Sequence, residues 1–163
     1  YSVDDAGWFT RLAGPLEVAR WTGLPHPLDE PAARAWLAER AVVYLRGTGV
    51  AWAVRRRVDG QPIGGASLRL NAEFEVADLG FWVAADFWGQ RYASEMAHRT
   101  LGFAFDQWEA RRLEAHCVAD NAGSARILER LGFVREGCLR QGFQRFGAVH
   151  DLWLYGMLRA ERP

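Results

Sequence analysis

The sequence predicts one α/β domain built on a mixed sheet of about six strands, with helices on both faces. Three observations carry that expectation. Apolar residues recur at helical spacing near the start of the chain and again around residues 93–108. Runs of period two lie between and after those stretches. From Phe74 onward the order is strand, helix, strand, helix, followed by two further strands.

Near the N-terminus, Trp8, Leu12, Leu16 and Val18 to Trp21 form one helical stripe, and Ala33, Trp36, Leu37 and Ala41 form another. Two helices are expected there, parted by the breaker segment Thr22-Gly-Leu-Pro-His-Pro. Asp29, Glu30 and Pro31 read as the second helix start, an acidic cap with proline in the first turn. From Gly49 the period drops to two, with Val50, Trp52 and Val54 on one face. Asp59-Gly60 separates this run from Ile63 to Leu70, a hairpin signal. A third strand run, Phe74 to Ala84, passes through Asp86-Phe-Trp-Gly into a long amphipathic helix. Its apolar stripe is Ala93, Met96, Ala97, Thr100, Leu101, Ala104, Phe105 and Trp108. Arg112 to Val118 is a short strand. Ala122 to about Leu131 is a helix that Asp120 or Asn121 caps and Gly132 ends. Phe133 to Phe143 and His150 to Leu158 are the closing strand runs, joined near Gly147. No repeat or low-complexity segment interrupts this order.

The 163 residues suit a single domain, residues 1–163, large enough to fold without disulfides or a structural metal. Twenty basic residues balance 20 acidic ones, so the global field favours neither a nucleic acid nor an anionic membrane as the main partner. Every basic residue is arginine, which excludes Schiff-base enzymes and phosphate-loop NTPases, both of which need lysine. Cys117, Cys138, His26, His98, His116 and His150 lack metal-ligand spacing, so no metal is expected. Arg46 breaks the longest apolar candidate, between Ala41 and Val54, and no signal peptide opens the chain, so the expected location is cytoplasmic. The chain starts at Tyr1 without Met, and a short preceding piece, including a first strand, is expected.

The strongest local signal runs from Leu79 to Met96: a strand, a tight loop and a helix. Such a junction offers free backbone N–H groups to an anion, although an ordinary strand-to-helix turn has the same outline. The loop resembles the pyrophosphate motif of the GNAT acetyltransferases, Gln/Arg-x-x-Gly-x-Gly/Ala. It is most similar to the branch that acetylates ribosomal-protein N-termini, whose loop reads Trp-Gly-Lys/Gln-Gly-Tyr-Ala-x-Glu. Trp88, Gly89, Gln90, Tyr92, Ala93 and Glu95 match it. Arg91 departs from it, standing where the family has Gly. There it either hinders the approach of the phosphates or adds a charged contact to them.

A second match, Asn121 to Gly137, resembles Asn-x-x-Ser-x-x-x-Leu-Glu-Lys-Leu-Gly-Phe-x-x-Glu-Gly, and with Leu16 to Trp21 and Asp151 to Tyr155 the resemblance spans nearly the whole chain. It implies the GNAT fold, a mostly antiparallel mixed sheet whose fourth and fifth strands splay to admit acetyl-CoA. Here those strands are Phe74 to Ala84 and Arg112 to Val118. By the same resemblance Trp82 and Val83 flank the pantetheine and acetyl groups, and Gln90, Arg91, Tyr92, Ala93 and Ser94 surround the pyrophosphate. Asn121 and Ser124 line the far side.

Attack of an amine on a thioester needs a neutral amine, a proton acceptor and a donor for the leaving sulfur. Leu128 stands where many relatives place a tyrosine acid, so Ser124 is the candidate donor, with helix capping or a coenzyme contact as its alternative role. Phe143 stands where some relatives place a glutamate base. Three other base candidates are then His116, whose ordinary pKa suits the task, Glu114 on the same strand face, and Asp78. Each has a plain alternative as a paired structural residue, and proximity alone could supply much of the acceleration. His150 and Asp151 are adjacent on a strand and point to opposite faces, Asp151 reads as structural, and Cys117 reads as inert packing. Among the tryptophans only Trp21, Trp52 and Trp82 are expected near a cleft.

The resemblance implies an N-acetyltransferase that uses acetyl-CoA as co-substrate and no metal, with direct transfer to a protein or peptide N-terminus. Polyamine or aminoglycoside acetylation is the alternative, and it needs an acidic cleft to which Glu73, Glu75 and Asp78 could contribute. A non-catalytic acyl-CoA-binding or interaction protein is the further alternative, because Arg91, Leu128 and Phe143 all replace functional residues. Dimers are common in the family, which leaves a homodimer open.

Overall fold

The computed structural model describes residues 1–163. Helices α1 (Ala6–Ala13), α2 (Leu16–Ala19) and α3 (Glu30–Leu45) precede strands β1 (Gly49–Arg55), β2 (Pro62–Asn71) and β3 (Val76–Val83). Then follow α4 (Tyr92–Asp106), β4 (Arg112–Val118), α5 (Ala122–Arg130), β5 (Val134–Arg145) and β6 (Ala148–Leu158). The strands form one six-stranded sheet in the order β1-β2-β3-β4-β6-β5. Only the β3–β4 pair is parallel.

Most local expectations hold, and the exceptions have physical reasons. The Trp8 to Trp21 stripe is two helices, because Pro15 has no N–H with which to continue the α1 ladder. Asp29 caps α3, its side chain accepting the Ala32 N–H at 2.9 Å, with Pro31 in the first turn. β3 begins at Val76, which leaves Phe74 exposed in the preceding turn. Asn121, rather than Asp120, caps α5, accepting the Ser124 N–H at 3.1 Å. β5 and β6 run on to the tight turn at Gly147, beyond the ends the apolar pattern marks. A bulge between Leu139 and Phe143 is held by Asp151, whose carboxylate accepts the Gln141 N–H at 2.8 Å. That is the structural role expected of Asp151.

Period-two burial sorts the sheet into two faces. Leu68, Ala77, Leu79, Leu113, Ala115 and Cys117 pack in one core with Ala97, Leu101, Ala104 and Phe105 of α4 and with Ala125 and Leu128 of α5. Each large apolar side chain buried this way contributes about 1.5–3 kcal/mol. Helices α1 and α3 form a second cluster, of Ala6, Phe9, Ala13, Ala33 and Leu37, against which Tyr1, Trp36 and Trp82 pack.

The feature that matters for function is where the sheet opens. β3 and β4 pair from Val76↔Arg112 to Leu79↔Ala115 and no further. Beyond that point β3 stays with β2 as far as Gly64↔Val83, and β4 stays with β6 as far as Val118↔Leu152. Each strand keeps one neighbour and loses the other, which is the splay expected of these strands.

Candidate active site

Two cavities meet at this wedge. One, of about 540 Å³, is walled by Arg40, Arg69, Asp78, His116, Trp36 and Phe143 among others. The second, of about 590 Å³, lies at the α4 N-terminus against Val83, Arg91, Tyr92, Ala93, Ser94 and Arg126. Trp21, Thr22, Phe81, Trp82, Asn121 and Ser124 line both. Trp52, expected near the cleft, lines neither. It packs edge-on against Phe103 of α4, with ring centroids 5.0 Å apart, and the cavity-lining tryptophans outside the expected set are Trp36 in the first cavity and Trp88 in the second.

The loop from β3 to α4 is pinned at both ends. The Trp88 indole N–H donates to the Val83 carbonyl at 2.8 Å, and the Gln90 amide donates to the Asp86 carbonyl at 3.1 Å. Gln90 is therefore spent on the loop itself and is absent from the cavity wall, whereas the matching Arg91 to Ser94 segment lines it. Arg91, at the N-cap of α4, takes the left-handed conformation, φ 67° and ψ 1°, that a glycine would adopt there. The backbone path thus survives the substitution at a cost of about 1–2 kcal/mol. No side chain caps α4, so its first N–H groups and the positive end of its dipole face the second cavity. Arg126 and Arg130, one turn apart on α5, line the same cavity, and neither they nor Arg91 forms an ion pair. Three unpaired guanidinium groups, free helix N–H groups and the unpaired edge of β3 suit a ligand with a phosphorylated end and an amide-bearing arm.

On the first cavity's wall the strand periodicity brings Asp78 of β3 and His116 of β4 together. His116 Nδ1 lies 3.0 Å from Asp78 Oδ2, and Arg69 Nη2 lies 3.2 Å from Asp78 Oδ1. The hydrogen bond to Asp78 raises the His116 pKa above its ordinary value, with burial opposing. Burial pushes Asp78 up, but the His116 hydrogen bond and the Arg69 charge outweigh it and hold the carboxyl below the usual range. With Nδ1 on the carboxylate, His116 keeps Nε2 for another partner. It stands one residue past the last β3–β4 rung, at the mouth of the wedge.

The other candidates separate. Glu114 lies outside both cavities, held by Arg112 at 3.0 Å in a network with Glu136. Ser124 lines both cavities. Leu128 and Phe143 line the first cavity as apolar surface and offer no proton donor. Burial pushes the Cys117 thiol up to about 11, in keeping with inert packing. His150 pairs with Asp120, not Asp151, at 2.8 Å. Glu73 and Glu75 reach neither cavity, so no acidic cluster forms around Asp78. Sequence reasoning missed Arg69, Arg40 and Tyr1. The Tyr1 hydroxyl accepts the Trp82 indole N–H at 3.2 Å, across a separation no sequence motif records.

The Acetyltransferase (GNAT) domain family matches residues 1–134. Among curated relatives, the uncharacterized N-acetyltransferase YoaA of Bacillus subtilis is 27% identical over 144 residues, covering 88% of this chain and 81% of YoaA. The ribosomal-protein-serine acetyltransferase of Escherichia coli is 30% identical over 90 residues, 55% of this chain and 50% of that protein. The solved structure of RimL, a ribosomal L7/L12 alpha-N-protein acetyltransferase in complex with coenzyme A, superposes with a TM-score of 0.89 at 18% identity, over 97% of this chain and 90% of that chain.

Proposed function

Since the chain belongs to the GNAT family and is an acetyl-CoA-dependent N-acetyltransferase, we propose that its acceptor is the N-terminal amine of a protein or peptide. The observation that supports this reading most is the Asp78–His116 pair on the wall of the first cavity, with His116 one residue past the last β3–β4 rung, where an amine held in that cavity can give up its proton. One cavity suits acetyl-CoA and the other an amine, so both substrates can be held at once for direct transfer.

Acetyl-CoA supplies the thioester carbonyl. The uncapped start of α4, with Arg91, Arg126 and Arg130, holds its phosphates, and Trp82, Val83 and the free edge of β3 hold its pantetheine arm. The amine nitrogen bonds to the carbonyl carbon, the carbon–sulfur bond breaks, and the proton shed by the amine passes to His116 Nε2. Asp78 orients the imidazole and stabilises it once charged. The Ser124 hydroxyl is too weak an acid to protonate a thiolate outright, so its part is a hydrogen bond to the departing sulfur. The identity shared with the ribosomal-protein-serine acetyltransferase supports a protein N-terminus as acceptor.

The test is to incubate the protein with acetyl-CoA and panels of peptides and polyamines, and to follow mass. The reading expects peptides heavier by one acetyl group, located on the α-amine by fragmentation. Acetylated polyamine beside unmodified peptides would overturn it.

A further inference from the structure

We infer that the acceptor carries a negative charge close to its amine, recognised by Arg40 with Arg69 beside it, so that acidic N-terminal peptides are the favoured substrates. The inference rests on the N-terminal acetylation reading above and narrows it.

The charged side chains on the acceptor cavity wall are Arg40, Arg69, Asp78 and His116. The only acid among them is already committed twice, to His116 at 3.0 Å and to Arg69 at 3.2 Å. The wall therefore presents an excess of positive charge. Arg69 is largely exposed, its side chain 70% accessible, and one carboxylate contact leaves most of its fork free.

Arg40 comes from α3, which packs against β1, the edge strand separated from β4 by β2 and β3. Its guanidinium carbon lies 4.9 Å from the centroid of the Trp36 ring, a cation–π contact that helps to position it. Its Nε is buried without a hydrogen-bond partner. Its only ion pair is with the neighbouring Glu39, whose side chain is 64% accessible and lies outside the cavity wall. A contact of that kind is worth little and exchanges readily. Arg40 is thus a positioned cation in the wall of an acceptor site whose terminal nitrogens hold only the exposed Glu39, and a substrate carboxylate is the group that replaces that partner best.

A polyamine meets repulsion from both guanidinium groups. A peptide whose amine is followed within the first residues by aspartate or glutamate places its nucleophile toward His116 and its carboxylate toward α3.

The experiment compares three peptides that differ only at the second residue, Ser-Glu, Ser-Gln and Ser-Lys, with spermidine alongside. Steady-state kcat/KM and the mass of each product are measured with the wild-type protein and with Arg40→Gln. The expected result is a preference of about tenfold for Ser-Glu over Ser-Gln and a larger one over Ser-Lys, with the Glu/Gln ratio falling toward one in Arg40→Gln. If Arg40→Gln does not fold, the wild-type ratio is measured against salt, where it should shrink as ionic strength rises. Equal rates on all three peptides, or a Glu/Gln ratio that survives both Arg40→Gln and high salt, would overturn the charge preference and leave N-terminal acetylation standing. Modification of spermidine with every peptide untouched would overturn both.

Discussion

His116 and Asp78 sit on neighbouring parallel strands, 3.0 Å apart through Nδ1 and Oδ2, at the level where those strands cease to pair. Neither residue alone has an obvious role. Together they form an oriented imidazole whose Nε2 is left free of the carboxylate, on the wall of the first cavity.

This pairing has a signed pH consequence. The hydrogen bond to Asp78 raises the His116 pKa above its usual 6.5, reinforced by the charges of Asp78 and Glu114 and opposed by burial and Arg69. A raised pKa keeps the imidazole protonated, and so unable to accept a proton, to higher pH. The acetylation rate should therefore climb with pH along a limb centred above 6.5. Asp78→Asn removes the partner that raises the pKa and leaves the Arg69 charge, so the limb should move to lower pH. His116→Gln should remove the His116 contribution, leave only the limb set by the amine's own titration, and reduce kcat by about 100-fold, with proximity supplying what activity remains. A pH–rate profile of the three proteins checks this, and a profile in His116→Gln identical in position to that of the wild type, with kcat undiminished, would assign the proton to another group.

Arg91 offers a case in which stability and binding should move in opposite directions. Its backbone is left-handed, so Arg91→Gly relieves strain, and a gain of about 0.5–1 kcal/mol is expected after the entropy that glycine adds to the unfolded chain is subtracted. Its side chain lines the second cavity, and on the proposed reading the same change should weaken acetyl-CoA binding by about fivefold. Denaturant unfolding and calorimetric titration with desulfo-CoA test the two halves separately. Tighter coenzyme binding in Arg91→Gly would mean that the guanidinium obstructs the site.

Arg126 and Arg130 should act on the phosphorylated end of the coenzyme. With no acid paired to either, the double change to alanine costs the fold little and should raise the Kd for CoA by about tenfold. A ligand without the 3′-phosphate reports which phosphate they hold. If dephospho-CoA binds both proteins equally, the arginines read the 3′-phosphate; if it loses affinity as CoA does, they read the pyrophosphate.

Local signals in the sequence make much of this architecture legible. The Asp29 cap, the Asp59-Gly60 hairpin and the apolar stripe of α4 depend on residues near one another in sequence, and all appear in the structure. The β3–α4 loop was legible for the same reason, including the departure at Arg91. What was not legible depends on register between distant segments. Arg69 lies opposite Asp78 only because β2 pairs with β3 in one particular register, and a slip of one residue would turn it to the other face. The Asp78–His116 bond likewise needs the parallel crossover from β3 to β4, so single-residue reasoning could name both candidates and not join them. Gln90 shows the converse, because it matches the family loop in type yet turns back to the Asp86 carbonyl.

Gly65 gives the strictest test of how the N-terminal helices and the cleft depend on each other. A Cβ there would lie 1.8 Å from the Tyr1 hydroxyl and 2.7 Å from the Trp82 indole nitrogen, so neither ring can stay in place. Trp82 lines both cavities, and its indole N–H is held by Tyr1 against the cluster of Phe9 and Trp36. Gly65→Ala should therefore destabilise the fold by about 1–3 kcal/mol through overpacking and should also weaken acetyl-CoA binding. The companion change Tyr1→Phe removes the hydroxyl that meets the new methyl group. In a fully coupled arrangement, the double variant should recover part of the lost stability while Gly65→Ala alone does not. Thermal unfolding of the two single variants and the double variant, read as a cycle, supplies the coupling energy. Additive effects would mean that Tyr1 and Trp82 respond independently, and the N-terminal segment would then have no hold on the coenzyme wall.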